Sequence, residues 1–302
     1  MGMVVKKSVG DWIFDIINFC FMCLIAVICV VPLIHVIMAS ISNPAAVDKA
    51  TNFILHPLGN PSIAAYKIIM NYKNIWIGYK NTIFYLVVQI LVTGVLTVIA
   101  GYIASRKRFR YRNVLMMFLS FTMMFNGGMI PTFIVVRTLG LLDTRAALII
   151  PQAMGVFYII IMRTAIQGIP DSLEESARID GAGELTVMFR IILPLCKATF
   201  AVIILFVAVA KWNEWFPALL YLTTARDKYP LQMFMREILI TASNSSDIAQ
   251  SANAADLQES SQMYRTLVKY ASIVVSTLPI LCVYPFAQKY FVTGVMVGSV
   301  KG

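Results

Sequence analysis

Residues 171–194 read DSLEESARIDGAGELTVMFRIILP, a charged stretch set between two long apolar runs. A connection that only joins two helices needs about four residues, and this one has 24. Pro170 stops the preceding apolar run, and Asp171 or Ser172 can cap a new helix, with Ser172 and Glu175 in the spacing of a capping box. Leu173, Ala177 and Ile179 give that short helix an apolar side. Gly181-Ala182-Gly183 then offers a turn in which glycine can take positive φ. A second helix is expected over 184–192, with Val187, Phe189, Ile191 and Ile192 apolar, and Pro194 opens the next apolar run. The reading is a helix–turn–helix lying flat at a membrane face. It sets Glu174, Glu175, Asp180 and Glu184 against Arg178 and Arg190. A membrane protein keeps such a segment in water where something has to be gripped.

Outward from this loop the chain is strongly apolar, 59% hydrophobic and only 13% charged, with a mean hydropathy of +0.77. Roughly 20 apolar residues cross the hydrocarbon core of a bilayer. Six spans are therefore expected, at about 16–38, 83–104, 112–137, 146–162, 198–221 and 269–289. The runs are continuous rather than alternating, so helices and not a barrel satisfy the backbone in lipid. The expected fold class is an all-α polytopic bundle, one domain over 1–302 with a core at about 80–292 and a loop at 170–194. Asn126-Gly127-Gly128 and Pro131 interrupt the third run, so its helix should end near Phe125, followed by a partly buried turn.

The run from Arg106 to Arg112 holds five basic residues in seven and no acid. Placing it in the cytoplasm puts both termini and the 170–194 loop there, in agreement with Lys6 and Lys7. Residues 43–80 and 222–268 then lie outside. The first of these carries a short interfacial helix at 63–69 and Tyr72, Trp76 and Tyr79 at headgroup level. The second carries an apolar helical patch at 231–240 and then a polar stretch, a surface for an external partner or a flexible loop.

The net charge of +10 reads as membrane topology and anionic headgroups, and no aromatic-basic nucleic-acid module is present. Cys20, Cys23, Cys29, Cys196 and Cys282 read as apolar packing residues. His35 and His56 are the only histidines, without metal-ligand spacing, so no metal site is expected. No GxxxxGK[ST] exists, so any nucleotide site belongs to a partner. A gradient-driven transporter would bury acids in several spans, whereas here Asp15 and Glu214 lie near span ends. A membrane-embedded enzyme would show a cluster of His, Cys or Asp at one depth, and none is visible.

Residues 175–194 resemble the cytoplasmic signature of ABC importer membrane subunits: EAA, three residues, Gly, nine residues, then I-x-L-P. The match is Glu175-Ser176-Ala177, Gly181 and Ile191-Ile192-Leu193-Pro194, every spacing met, with Ser176 for the middle alanine. Asp180-Gly181-Ala182 and Trp212-Asn213-Glu214-Trp215 are similar to the carbohydrate-importing branch. The carboxyl end, 291–294 through Gly298-Ser299-Val300-Lys301-Gly302, resembles the tail of maltose-type permeases, which enters the ATPase dimer. Gly127 to Thr132 and Gly140 to Thr144 are similar to permeases importing complex oligosaccharides.

The resemblance implies a permease subunit of a bacterial inner-membrane importer that hydrolyses nothing itself. Its partners would be a second, different permease, a cytoplasmic ATPase dimer holding ATP and Mg, an external sugar-binding protein and an oligosaccharide. The loop would be the coupling helix, with Glu175, Ser176, Ala177, Asp180, Gly181, Ala182, Leu193 and Pro194 as its coupling residues; 293–302 would be a cytoplasmic tail, of which Gly298, Ser299, Val300, Lys301 and Gly302 would contact the ATPase. Lys211 and Glu214, three residues apart, can pair on one helical face. A lysine near the bilayer centre costs about 2.5–3.5 kcal/mol, which the apolar run at 200–210 offsets. Trp212 and Trp215 read as an aromatic belt or as stacking faces for a sugar ring. Asn213 and Glu214 read as hydroxyl-binding groups on a substrate path.

Overall fold

The computed structural model describes residues 8–125, 127–243 and 266–282. The expected tail at 293–302, the polar stretch at 244–265 and the end of the sixth span lie outside the described residues. Those described are helical, with short 3-10 turns and no strand. In chain order the helices are α1 (Val9–Ile41), α2 (Pro44–Lys49), α3 (Ala64–Asn71), α4 (Lys73–Ser105), α5 (Arg112–Met124), α6 (Met129–Thr138), α7 (Val156–Gln167), α8 (Asp171–Ile179), α9 (Glu184–Leu195), α10 (Lys197–Trp212), α11 (Phe216–Tyr221), α12 (Leu231–Ser243) and α13 (Thr266–Cys282). The expected helices at 63–69 and 231–240 correspond to α3 and α12. The chain divides into two units, one from residues before Lys73 with 237–277, the other from Lys73–Arg236 with residues after Thr277.

In the first unit, α1 has a mean hydropathy of 2.9 over its most apolar window, none of which is buried by the chain itself. A helix apolar on every side needs apolar surroundings. Cys20, Cys23 and Cys29 are exposed along it. The segment after it is held by side chains: the Ile54 N–H donates to His35 Nδ1 (2.9 Å), the Leu58 N–H to Ser42 Oγ (2.9 Å), and Asn43 caps α2 by accepting from the Ala45 N–H (3.0 Å).

The second unit is organised around α4, which packs on α7 and α10. Glycine permits both approaches. A Cβ at Gly101 would lie 3.0 Å from Met162, and one at Gly94 3.2–3.3 Å from Ile204 and Phe200. Helix α4 begins ten residues before the apolar run that announced it. Its polar N-terminal turns are bonded within the protein: Asn81 Nδ2 donates to the Asp227 (2.7 Å) and Tyr229 (3.0 Å) carbonyls, the Tyr85 hydroxyl to the Lys228 carbonyl (2.8 Å), and Thr82 Oγ1 accepts from the Leu231 N–H (2.8 Å). Hydropathy alone stops where polar residues begin; the helix does not, because those residues have partners.

The third, fourth and fifth expected spans are broken. The fourth consists of 3-10 turns at Arg145–Leu148 and Ile150–Gln152, then α7 at 47° to them; Pro151 and Gly155 interrupt the helical ladder. The fifth ends as α10 at Trp212, and α11 resumes at Phe216 with Pro217 in its first turn, where a missing N–H has no helical partner to lose. The third ends at Met124 as expected, but Met124 and Phe125 are exposed, so the turn there is not buried by this chain. Among the described residues two helices are long and apolar enough to cross a membrane, or five spans if each bent pair counts as one.

Outside the spans, Asp143 takes a φ of 57°. Its carboxylate accepts from the N–H groups of Thr224 (2.8 Å) and Ala225 (3.1 Å) and from the Thr224 (2.9 Å) and Thr223 (3.2 Å) hydroxyls. The Thr224 N–H leads these donors in holding the carboxyl below its ordinary pKa. A depressed carboxylate pKa stabilises the fold above the unfolded value, near 3.9, and that contribution is lost as pH falls through the folded value. In Asp143→Ala, amide exchange at Thr224 and Ala225 is expected to be about tenfold faster at neutral pH. Unchanged exchange would show that the loop holds without the carboxylate.

Candidate functional site

The 170–194 loop folds as two helices around a glycine turn, with details the residue pattern did not give. Pro170 occupies the N-cap position and no side chain caps the helix, so the expected Ser172–Glu175 capping box is not formed. Starting at Asp171 places Ser172 inside the first turn, away from the cap. Asp171 and Glu174 in that turn suit the positive end of the helix. Asp171 also accepts from Lys107 Nζ (3.1 Å), a bond that lowers its carboxyl pKa.

The turn is a Schellman stop. Gly181 has φ 86°, its N–H donates to the Arg178 carbonyl (3.0 Å), and the Ala182 N–H reaches back to Ala177 (2.9 Å). Nothing lies within 4 Å of a Cβ at Gly181, so the demand for glycine is conformational, not steric. Gly181→Ala is expected to cost about 1–2 kcal/mol and to loosen the turn, read as faster amide exchange at Ala182, without preventing membrane insertion. Unchanged exchange in that variant would show that glycine is dispensable at the turn.

The carboxylate that the fold buries is Glu174, 6% exposed. Its Oε1 accepts from Arg178 Nη2 (2.5 Å) and the Tyr102 hydroxyl (3.1 Å), and its Oε2 lies 2.7 Å from Arg106 Nη1. Arg178 Nη2 also donates to Glu184 Oε1 (2.8 Å), and Glu184 Oε2, 2.9 Å from the Tyr102 oxygen, shares that hydroxyl's single proton with Glu174. The Arg106 guanidinium rests 4.7 Å from the Tyr102 ring centre. The C-terminal end of α4 is thereby tied to both α8 and α9. On their apolar side Ala177, Val187, Met188 and Ile192 join a core with Val98 and Tyr102 of α4 and Met162 and Ile166 of α7.

What remains outward is the opposite side of the loop. Glu175, Ser176, Asp180 and Gly181 are exposed, beside the exposed apolar side chains of Leu173, Ile179 and Leu185. Ile179 therefore belongs to the outer face, not to the inner apolar side. Ala182 and Leu193 are half-buried against the core, and Pro194 is exposed. Pro194 has no N–H for the Arg190 carbonyl, and the helix widens to π form over Val187–Ile192 before it. The chain then turns by 87° into α10, after Cys196 and not at Pro194.

A second polar cluster lies at the C-terminal end of α10. Lys211, 4% exposed, donates to the Leu148 carbonyl (2.6 Å), Gln152 Oε1 (3.2 Å) and Glu214 Oε2 (2.5 Å). Gln152 also bonds Glu214. Of the neighbouring residues, Trp212 is buried with Tyr79 at 6.3 Å, Asn213 bonds back to the Val209 carbonyl (2.9 Å), and the half-exposed Trp215 ring carries the Arg236 guanidinium at 4.8 Å. Only Glu214 of the four joins the buried cluster. Sequence reasoning gave no role to Tyr102, Arg106 or Gln152. For Arg106 a signal existed, since it opens the basic run directly after the apolar run, where an arginine can fold back.

The model of the family described as "Binding-protein-dependent transport system inner membrane component" matches residues 95–297. The chain is 41% identical, over 96% of its length and 99% of the relative's, to the polygalacturonan/rhamnogalacturonan transport system permease protein YtcP of Bacillus subtilis (strain 168). It is 39% identical to the protein LplC of the same organism, over 96% and 95% of the two chains. Among solved structures it resembles a chain of a bacterial ABC transporter involved in the import of the acidic polysaccharide alginate, with a TM-score of 0.83, 34% identity, and 95% and 100% of the two chains covered. The loop geometry and these matches agree: the chain belongs to the family of inner-membrane components of binding-protein-dependent transport systems.

Proposed function

We propose that this chain is the permease subunit of an ATP-driven, binding-protein-dependent importer of acidic oligosaccharides, coupled to a cytoplasmic ATPase through the face around Glu175. It is a membrane protein and not itself an enzyme. The observation that carries the coupling role is the two-sided loop. One side is fixed to α4 and α7 by Glu174, Arg106 and Tyr102, and the other presents Glu175, Asp180, Leu173, Ile179 and Leu185 to a partner. A carboxylate amid apolar side chains suits a cleft with a basic group and an apolar floor. ATP, with Mg, would be held by the ATPase and not by this chain.

The acidic character of the cargo is supported by relatives named for polygalacturonan and rhamnogalacturonan and for alginate, polymers whose units carry carboxylates. The second permease would be a different chain, both termini would lie in the cytoplasm, and 298–302 would reach the ATPase. Glu214, neutralised by Lys211, would line the outer part of the path. Mild-detergent purification of the tagged chain, followed by mass spectrometry, tests this. A second permease and an ATPase should co-purify, and trigalacturonate delivered by the binding protein should stimulate ATP hydrolysis. Isolation of the chain alone, with uptake insensitive to ATPase inhibition, would overturn it.

A further inference from the structure

One cavity within the spans serves neither the coupling loop nor the packing of α4. It measures about 320 Å³ and is bounded by Gln89 and Thr93 of α4, the Pro151–Gly155 break, Tyr158 of α7, and Val207, Ala210 and Lys211 of α10. That volume falls at the lower end of small-molecule pockets, roughly 300–1,000 Å³. Its lining combines amide, hydroxyl and ammonium groups with one aromatic ring.

Three observations mark it as built for a ligand. First, Gln89 is 2% exposed, yet its Oε1 has no hydrogen-bond partner. Its Nε2 is committed to Thr93 Oγ1 (2.8 Å) and the Gln152 carbonyl (2.9 Å), which fixes the amide and leaves the acceptor open. A buried acceptor without a donor is costly, and an intramembrane polar group normally marks a pathway. Second, Gly155 leaves room for the Tyr158 ring: a Cβ there would lie 2.6 Å from Tyr158 Cδ2, so a side chain at 155 would push the ring off this backbone. Third, the charge is already balanced. Lys211 is paired with Glu214, so the pocket offers hydrogen bonds and a ring face without net charge.

We infer that this cavity is a sugar subsite of the subunit, taking one pyranose ring by its hydroxyls, with Gln89 as acceptor, Thr93 and Tyr158 as hydroxyl partners, and the Tyr158 ring as the stacking face. It rests on the importer reading and adds to it. The subsite reads hydroxyls and not the carboxylate, so it treats an acidic ring and its neutral ester alike.

The test uses the full complex with its binding protein in proteoliposomes, and two probes: trigalacturonate and its methyl-esterified, uncharged trimer. Gln89→Leu and Gly155→Ala are each expected to raise the uptake KM at least fivefold, by the same factor for both trimers. Because Gln89→Leu can disturb packing, a diazirine-bearing trigalacturonate is photolysed in the vanadate-trapped wild-type complex. Adducts are expected between Pro151 and Tyr158. Unchanged KM in both variants, or adducts confined to other chains, would overturn the subsite while leaving the importer reading standing. A rise for the charged trimer alone would overturn hydroxyl recognition. A wild-type complex that imports neither trimer would take down both readings.

Discussion

Glu175→Lys is expected to abolish sugar-stimulated ATP hydrolysis and to lower uptake by at least about 100-fold, while the protein still reaches the membrane in normal amount. Glu175 is exposed on α8, so its replacement disturbs no internal packing, and surface substitutions away from buried features usually shift stability by less than about 0.5 kcal/mol. The loss would therefore arise at the partner, where a lysine placed against a basic group repels it; truncating or reversing one member of a desolvated charge pair costs about 2–5 kcal/mol in binding. The measurement is ATPase activity of the reconstituted complex with and without loaded binding protein, alongside uptake. Normal stimulation in this variant would sink the coupling assignment for that face.

Its neighbour should behave in the opposite way. Glu174→Ala is expected to destabilise the subunit itself, because it leaves the Arg106 and Arg178 guanidinium groups facing each other without their shared carboxylate. Breaking a buried pair by removing one partner costs about 3–5 kcal/mol. Thermal unfolding of the solubilised complex, and trypsin cleavage at Arg178, would report it. The combination Glu174→Leu with Arg106→Met should recover part of the loss, since replacing both charges with apolar side chains is often neutral. A Glu174→Ala protein as stable as wild type, and equally resistant to trypsin, would show that the ion cluster is ornamental. Adjacent glutamates would thus separate two properties: one residue governs communication, the other integrity.

The contrast also shows what a chain of residues discloses and what it withholds. The helix–turn–helix, the left-handed glycine at 181 and the Lys211–Glu214 pair were all legible, because each depends on residues within a few positions of one another. The rank of Glu174 over Glu175 as the buried carboxylate was not. It is decided by Tyr102 and Arg106, some 70 positions away, folding onto α8. The capping box failed for a local reason, the N-cap falling at Pro170, two residues before Ser172. Span boundaries failed where polar side chains have distant partners, as Asn81 does in the Asp227 and Tyr229 carbonyls. The cavity was invisible for the same reason: Gln89, Tyr158 and Lys211 lie on three helices and share no pattern in the sequence.

Helix α4 has a consequence of its own. It is unbroken over 33 residues, about 50 Å at 1.5 Å per residue, while every span packed against it is interrupted. One end is fastened to the 170–194 loop through Tyr102, and through Arg106 just beyond it; the other is fastened through Asn81, Thr82 and Tyr85 to the backbone of 227–231. An uninterrupted helix does not compress. It acts as a strut: the bonds at its two ends are held a fixed distance apart, so the 170–194 loop and the 227–231 segment cannot shift along its axis independently while those bonds last.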